Sequence, residues 1–137
     1  MLVGTISELS LFFLFAAALQ AGDSGNREHC AGLAPDLMDE CHDVCDTASL
    51  IDELDLVIST DTCVPHIAGA LGKPTWLLEA YESEWRWGMA DVSPWYESVR
   101  VFRQPKLGDW RSVVERVKLE LKFMTLYDSS KREAVAA

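Results

Sequence analysis

Hydrophobic residues between positions 46 and 124 alternate between helical spacing and strand-like runs, separated by short polar or glycine-containing stretches. Asp46 is suited to cap a helix over residues 47–54, where apolar side chains recur every three or four positions. Residues 54–59 (LDLVIS) form a β-branched run that is apolar enough for a buried parallel strand. These patterns predict a folded core in the second half of the chain.

The same alternation continues to residue 124. Pro65 suits the first turn of a helix that Gly72 ends, and strands are predicted over residues 75–78 and 99–102. Asp109 can cap a last helix, whose apolar positions form one stripe: Trp110, Val113, Val114, Val117, Leu121 and Met124. Helices that alternate with strands predict an α/β domain, with a mostly parallel sheet flanked by helices.

The first 45 residues give a weaker pattern. Residues 9–19 (LSLFFLFAAAL) carry no charge but are too short to cross a bilayer, which takes about 20 apolar residues, so membrane association is not expected. A secretory leader can have a core of this length, but Glu8 and the lack of Lys or Arg before it favour a buried strand or helix. Residues 22–45 resemble an acidic loop, and residues 127–137 are expected to form a frayed tail.

The formal net charge is −10, and much of the excess lies in residues 23–55, which hold ten acidic residues and one basic residue, Arg27. Such a surface repels the phosphate backbone of DNA or RNA, so nucleic-acid binding is not expected. A single nucleoside diphosphate can still bind, because the neutral backbone amides at a helix N-terminus attract it.

The four cysteines of the chain are interpreted as reduced thiols, which predicts a cytoplasmic protein. Cys41, His42 and Cys45 could form a zinc site with Cys30 or His29, but their spacing matches no common arrangement of zinc ligands. No metal site is therefore predicted.

The residues that follow the strand over 54–59 carry the most distinctive chemistry. Ligands of open parallel sheets bind beyond the carboxyl ends of the strands. Here Thr62, Cys63 and Val64 would present the unpaired amides of a first helical turn, supported by the helix dipole, to a phosphate group. Asp61 can accept hydrogen bonds from sugar hydroxyls, and His66 can donate one to a phosphate or sugar oxygen.

These two side chains also have simpler interpretations. Asp61 can serve only as the N-cap of the helix, and His66 can be a core histidine packed behind the strand. The residues alone leave both alternatives open.

The long aromatic loop between the last two predicted strands, Glu79 to Ser98, offers further contacts. Trp85 can stack on a sugar ring or a nucleobase, and Arg86 can pair with a diphosphate, although both can instead fold the loop onto the sheet. Packing is expected for Trp76, Trp95 and Trp110.

Two segments resemble a known family. Residues 46–78 read DTASLIDELDLVISTDTCVPHIAGALGKPTWLL, and residues 84–117 read EWRWGMADVSPWYESVRVFRQPKLGDWRSVVERV. Together they resemble the C-terminal domain of GT-B glycosyltransferases. They are most similar to the heptosyltransferase-like glycosyltransferase family 9 and to glycosyltransferases linked to tetratricopeptide repeats.

The resemblance implies a Rossmann-like half of a GT-B fold over residues 46–126. It also implies that the substrate is a nucleoside-diphosphate sugar and that no cofactor is needed. In that family the turn amides hold the donor diphosphate, roles that fall here on Thr62, Cys63 and Val64. The family aspartate contacts the donor sugar, and its counterpart here is Asp61.

This sequence departs from the family pattern at two positions in the motif. Cys63 stands where the family usually has Gly or Ala, and Pro65 where it usually has a small residue with an amide proton. The family's N-terminal domain, which supplies the acceptor site and the usual catalytic base, does not fit ahead of Asp46. We therefore expect a fragment that needs a missing acceptor domain or a second chain, and its catalytic residues are not identified.

Two alternatives remain at this point. The chain can be a non-catalytic module that binds a nucleotide sugar or a partner protein. It can also be a secreted or membrane-tethered acidic domain that uses residues 9–19 as a leader.

Overall fold

The protein was analysed as a computed structural model that describes the backbone of residues 2–5, 12–16, 41–82 and 84–136, and the side chains of residues 41–82 and 84–124. These segments contain five strands and three α-helices. The strands are β1 (Leu2–Thr5), β2 (Phe12–Ala16), β3 (Leu56–Thr60), β4 (Thr75–Glu79) and β5 (Val99–Arg103). The helices are α1 (Val44–Asp52), α2 (Cys63–Ala70) and α3 (Trp110–Ala136).

All five strands form one sheet in the order β1-β2-β3-β4-β5. β1 pairs antiparallel with β2, and β2 to β5 are parallel to one another. The register places Thr60 opposite Leu78 and Glu79 opposite Arg103, so β3, β4 and β5 end close together. We call this the carboxyl edge of the sheet. The arrangement confirms the predicted α/β fold with a mostly parallel, Rossmann-like sheet.

The core lies on both faces of the sheet because successive strand residues point to opposite sides. On one face, Val57 of β3 packs with the buried side of α1 and α2, including Ile51 and Ala68. On the other face, Ile58 and Phe102 pack against α3. The sheet is therefore the middle layer of the domain.

The connection from β4 to β5 contains no α-helix, although parallel strands are usually joined by one. A 3₁₀ turn at Trp85–Trp87 and an irregular segment cover the sheet instead. The fully buried Trp87 packs there with Leu77, Val99 and Val101. This aromatic loop fills the place of a crossover helix.

The aromatic loop also folds back along β5. The amide of Val101 donates to the carbonyl of Asp91 at 2.8 Å, and the amide of Ser93 donates to the carbonyl of Val99 at 3.1 Å. These backbone bonds fix the loop against the last described strand of the sheet.

Helix α1 begins three residues earlier than predicted, and the prediction that Asp46 caps it is wrong. Asp43 is the N-cap, because its carboxylate accepts from the amides of Cys45 at 2.7 Å and Asp46 at 2.9 Å. Asp46 instead lies in the first turn, and its carboxylate accepts from the amide of His42 at 3.0 Å. Two aspartates three residues apart thus bind amides at the N-terminus, as in a capping box, except that Asp46 accepts from the residue before the cap.

Helix α3 is capped as predicted, since Asp109 accepts from the amide of Ser112 at 3.2 Å and from its hydroxyl at 2.8 Å. Val113 and Val117 are buried against the sheet, and Leu121 and Met124 are partly buried beside them. The prediction that Trp110 and Val114 also pack in the core is wrong, because each is 41% exposed. The sheet therefore buries a narrower stripe of α3 than the spacing of the apolar residues in that helix predicts.

The remaining boundaries differ by small amounts. The strand predicted over residues 54–59 is Leu56–Thr60, and the apolar run of residues 9–19 contributes the backbone of strand β2. The backbone of α3 stays helical to Ala136, whereas residues 127–137 were expected to fray. Among the segments that the structure describes, no helix combines the length and the apolar character needed to cross a bilayer.

Neighbouring valines on α3 provide a test of the core. We expect Val113→Ala to lower the free energy of unfolding by about 2 kcal/mol, because two buried methyl groups are lost and a cavity remains. Val114→Ala is the matched control and should change it by less than about 0.5 kcal/mol, because that side chain is largely exposed. Urea denaturation of each variant measures both values. Equal losses would contradict the placement of α3.

Candidate functional site

Strand β3 leads directly into α2 at the carboxyl edge, with Asp61 and Thr62 between them. Thr62 is the N-cap of α2: its backbone is extended (φ −148°, ψ −169°), and its hydroxyl accepts from the amide of Val64 at 3.2 Å. The simpler interpretation of Asp61 as the helix cap is therefore wrong. Pro65 lies in the first turn, where a missing amide proton costs no intrahelical bond.

The three predicted amides have different surroundings. The amide of Val64 already donates to the Thr62 hydroxyl. The amides of Thr62 and Cys63 precede the first intrahelical hydrogen bond, and the Cys63 side chain is exposed to solvent. The helix N-terminus therefore offers two backbone donors at an accessible point on the carboxyl edge.

Asp61 is held in place by a side chain that sequence reasoning did not select. The indole Nε1 of Trp87 donates to Asp61 Oδ1 at 3.0 Å, and the Trp87 side chain is fully buried. The carboxylate itself is partly exposed. A buried indole thus fixes one oxygen of an accessible carboxylate.

His66 lies one turn into α2 against the same indole. Its ring stacks on Trp87 with a centroid separation of 4.7 Å and an interplanar angle of 26°. Its Nδ1 is 3.3 Å from the hydroxyl oxygen of Tyr96. His66 is partly exposed and has a defined polar partner, so it is not a core histidine behind the strand.

Tyr96 reaches His66 because α2 has a glycine beneath its ring. A Cβ atom added at Gly69 would lie 2.5 Å from Tyr96 Cγ, closer than such atoms approach in proteins. The absence of a side chain at Gly69 therefore permits the contact. We refer to His66, Trp87 and Tyr96 as the aromatic clamp.

The two loop residues proposed as ligand contacts, Trp85 and Arg86, are both exposed on the 3₁₀ turn of the aromatic loop, and that role stays a prediction. Trp85 is 79% exposed, and Arg86 forms an exposed ion pair with Glu84 at 3.5 Å. Successive residues of a 3₁₀ turn point about 120° apart, so only Trp87 faces Asp61. The W-R-W sequence locates the turn but does not show which residue faces the site.

The packing expectations for two other tryptophans had different outcomes. Trp76 is 7% exposed and packs in the core as predicted. Trp95 is 59% exposed, which contradicts the expectation that it is packed away from solvent. Its indole nitrogen nevertheless donates to the Arg86 carbonyl at 2.6 Å and so ties two parts of the aromatic loop together.

A buried carboxylate at the end of β4 was missed in the sequence. The Glu79 side chain is 3% exposed, and one of its oxygens has no hydrogen-bond partner. Burial, followed by the negative charge of Asp61, raises the pKa of Glu79, and the nearby Arg103 partly offsets this. The position of Glu79 at the carboxyl end of a parallel strand is the signal that could have revealed it.

Arg103 at the end of β5 lies near enough to this carboxylate to lower its pKa, and it also contacts the aromatic loop. Its Nη2 donates to the Gly88 carbonyl at 2.6 Å, while its Nη1 is buried without a partner. The ends of three adjacent strands therefore bring Asp61, Glu79 and Arg103 together. Within residues 41–82 and 84–124, no three His, Cys, Asp or Glu side chains are grouped so that they could hold a metal ion.

Comparison with known proteins places this chain in a family. The model of glycosyltransferase family 9 (heptosyltransferase) matches residues 17–121, which is more than half of the chain. The chain belongs to glycosyltransferase family 9. The match begins well before residue 46, so the family domain also includes part of the N-terminal region.

A curated protein also matches the chain. The chain is 35% identical over 88 residues to Protein FlbA of Caulobacter vibrioides. The matched segment covers 64% of this chain and 15% of FlbA, so the chain spans a small part of that relative. No match was found among solved structures.

The buried Glu79 predicts a pH-dependent stability. Because its folded-state pKa lies above the ordinary value of 4.5, the folded protein binds more protons than the unfolded chain as pH rises past 4.5. The free energy of unfolding should therefore fall as pH increases from 4.5 through the raised value. Glu79→Gln should flatten this decline when stability is measured by urea denaturation across that range.

The matched control is Glu82→Gln, which removes an exposed carboxylate three residues further along the chain. It should retain the wild-type decline. If the Glu79→Gln and wild-type profiles coincide, the carboxyl group of Glu79 does not titrate in a buried site.

Proposed function

We propose that this family 9 domain binds a nucleoside-diphosphate sugar at the carboxyl edge of β3, as the donor-binding half of a GT-B glycosyltransferase. One observation carries the proposal: Thr62 caps α2 so that the amides of Thr62 and Cys63 lie beside the fixed carboxylate of Asp61. Amides that can donate to a diphosphate thus lie next to a carboxylate that can accept from sugar hydroxyls.

The helix N-terminus would hold the diphosphate. Its two available amides donate hydrogen bonds, and the positive end of the α2 dipole adds electrostatic attraction. Cys63 is exposed and small enough for a phosphate to approach the backbone. His66, one turn later, can donate a further hydrogen bond from its imidazole.

Asp61 would contact the sugar. A carboxylate has two oxygens, and the bond from Trp87 occupies one of them, so Asp61 can accept further hydrogen bonds from sugar hydroxyls. Its negative charge makes it a poor phosphate ligand. The two ends of the donor would therefore bind to different groups at the same junction.

In the reaction of such a donor, an acceptor hydroxyl attacks the anomeric carbon and the nucleoside diphosphate leaves. Negative charge grows on the leaving oxygen, and preorganised amides stabilise it. We propose that another segment or chain supplies the acceptor site and the general base, which the N-terminal domain provides in the GT-B enzymes that this chain resembles. The free thiols of Cys41, Cys45 and Cys63 support a reducing, cytoplasmic location for the protein.

The backbone donor of Cys63 can be tested directly. Cys63→Pro removes its amide proton at the first position of a helix, where proline is tolerated, and the extended Thr62 accommodates a following proline. We expect at least about tenfold weaker binding of UDP, GDP or ADP by calorimetry, because a hydrogen bond to a charged group contributes about 1.5–3 kcal/mol.

Cys63→Ala is the control, since it keeps the amide and should change the affinity less than about twofold. A bound diphosphate should also protect Cys63, but not the exposed Cys45, from alkylation, as measured by peptide mass spectrometry. Equal affinities of the proline and alanine variants would show that the helix N-terminus is not the phosphate site.

Asp61→Ala tests the sugar contact. It should abolish the additional affinity of UDP-glucose, GDP-mannose or ADP-glucose over the corresponding nucleoside diphosphate. Affinity for the bare diphosphate should stay within about threefold, because Thr62 still caps the helix. If both affinities fall together with the melting temperature, Asp61 has only a structural role.

Transfer and hydrolysis assays on the same chain separate the remaining alternative. Binding together with turnover supports a glycosyltransferase half-domain that retains some chemistry. Binding without turnover supports a non-catalytic nucleotide-sugar module. A wild-type chain that binds none of these donors contradicts the proposal.

A further inference from the structure

Trp87 contacts both residues that the proposed function assigns to the two ends of the donor. Its indole N–H donates to Asp61 at 3.0 Å, and its ring face stacks on His66 at 4.7 Å. The ring is fully buried among core residues of β4 and β5, so it has little freedom to move. A single rigid group therefore sets the orientation of both side chains.

Tyr96 supplies the second constraint on His66. Its hydroxyl lies 3.3 Å from His66 Nδ1, and the two rings meet edge to face at a centroid distance of 5.9 Å. A tyrosine hydroxyl that donates to Nδ1 leaves the imidazole proton on Nε2 in the neutral ring. The nitrogen farther from Tyr96 would then be a hydrogen-bond donor, which is what a phosphate oxygen needs.

From these contacts we infer that Trp87 and Tyr96 are positioning residues for donor binding: Trp87 orients Asp61 toward the sugar, and Tyr96 holds His66 in the tautomer that donates from Nε2 to the diphosphate. The inference rests on the proposed function. It goes beyond that function because it assigns roles to two loop residues that need not touch the ligand.

Conservative substitutions separate the two roles. Trp87→Phe keeps an aromatic face for His66 and removes the N–H that Asp61 accepts. We expect it to lose the extra affinity for UDP-glucose, GDP-mannose or ADP-glucose, as Asp61→Ala does, while UDP, GDP or ADP bind within about threefold of wild type. Combining Trp87→Phe with Asp61→Ala should cause no further loss, because both changes remove the same interaction.

Trp110→Phe is the matched control, since it makes the same change on an exposed side chain of α3, which packs on the opposite face of the sheet from Trp87. It should leave both affinities unchanged. Because Trp87 is buried, a second measurement avoids dependence on the folding of its variant. In Asp61→Ala, the indole N–H of Trp87 should shift in the ¹H–¹⁵N spectrum and exchange faster with solvent.

Tyr96→Phe should weaken binding of the diphosphate, whereas Trp87→Phe weakens the contact with the sugar. It keeps the ring against Gly69 and removes only the hydroxyl, so affinity for the bare diphosphate should fall about fivefold or more. The ¹⁵N shifts of His66 should change from the Nε2–H tautomer to a mixture, with the exposed His42 as an unchanged reference in the same spectrum. Tyr81→Phe, at a half-exposed tyrosine, is the control.

Gly69→Ala is an independent way to remove the contact of Tyr96 with His66. Alanine normally stabilises a helix relative to glycine, but here its methyl group would displace the Tyr96 ring. The variant should therefore reproduce the His66 tautomer mixture while α2 stays folded.

The outcomes distinguish the two proposals. An unchanged His66 tautomer in Tyr96→Phe, or an unchanged Trp87 N–H in Asp61→Ala, overturns the positioning roles whatever the ligand result. If the wild type binds no donor or diphosphate, the proposed function fails. The spectra of the free protein still report whether Trp87 holds Asp61 and whether Tyr96 holds His66.

Discussion

The parallel pairing of β3 with β4, and of β4 with β5, determines where every group of the candidate site lies. In this register three adjacent strands end at the same edge. Asp61, Glu79 and Arg103 are each within a residue of those strand ends, so the backbone hydrogen bonds of the sheet bring their charges together. A shift of one residue in the pairing of a strand would also turn each of its side chains to the opposite face of the sheet. The chemistry of this edge therefore depends on the register of the sheet.

The aromatic loop adds what the strands alone cannot provide. It replaces a crossover helix with Trp87, whose ring fills the core while its nitrogen reaches the site. Core packing and the orientation of the Asp61 carboxylate consequently depend on one side chain. A substitution of Trp87 that loosens the core would therefore also misalign Asp61.

The fold could be predicted from the sequence because its signals are local. Residues 54–59 and the stripe on α3 have the spacing of a strand and of a helix, and both elements formed close to the predicted positions. Errors arose where two nearby residues can do the same job, as with Asp43 and Asp46 at α1. They also arose where burial depends on the width of the covering sheet, as with Trp110 and Val114.

The site was less predictable because its contacts are distant in sequence. Asp61, Thr62 and His66 follow from the strand-to-helix junction, but their partners Trp87 and Tyr96 lie 26 and 30 residues away from the side chains they contact. Local sequence identifies an aromatic loop without saying which ring points inward. Glu79 was missed for a related reason, since the charged groups near it, Asp61 and Arg103, are distant from it in the sequence.

The cap of α2 also affects the thermodynamics of any binding event. Because Thr62 satisfies the amide of Val64 from within the chain, the first helical turn is formed before a ligand arrives. An anion that bound at this turn would have little backbone to order and would therefore lose little affinity to the conformational entropy of the turn. Its association should resemble that of a rigid receptor, with a heat-capacity change set by the surface that the ligand itself covers.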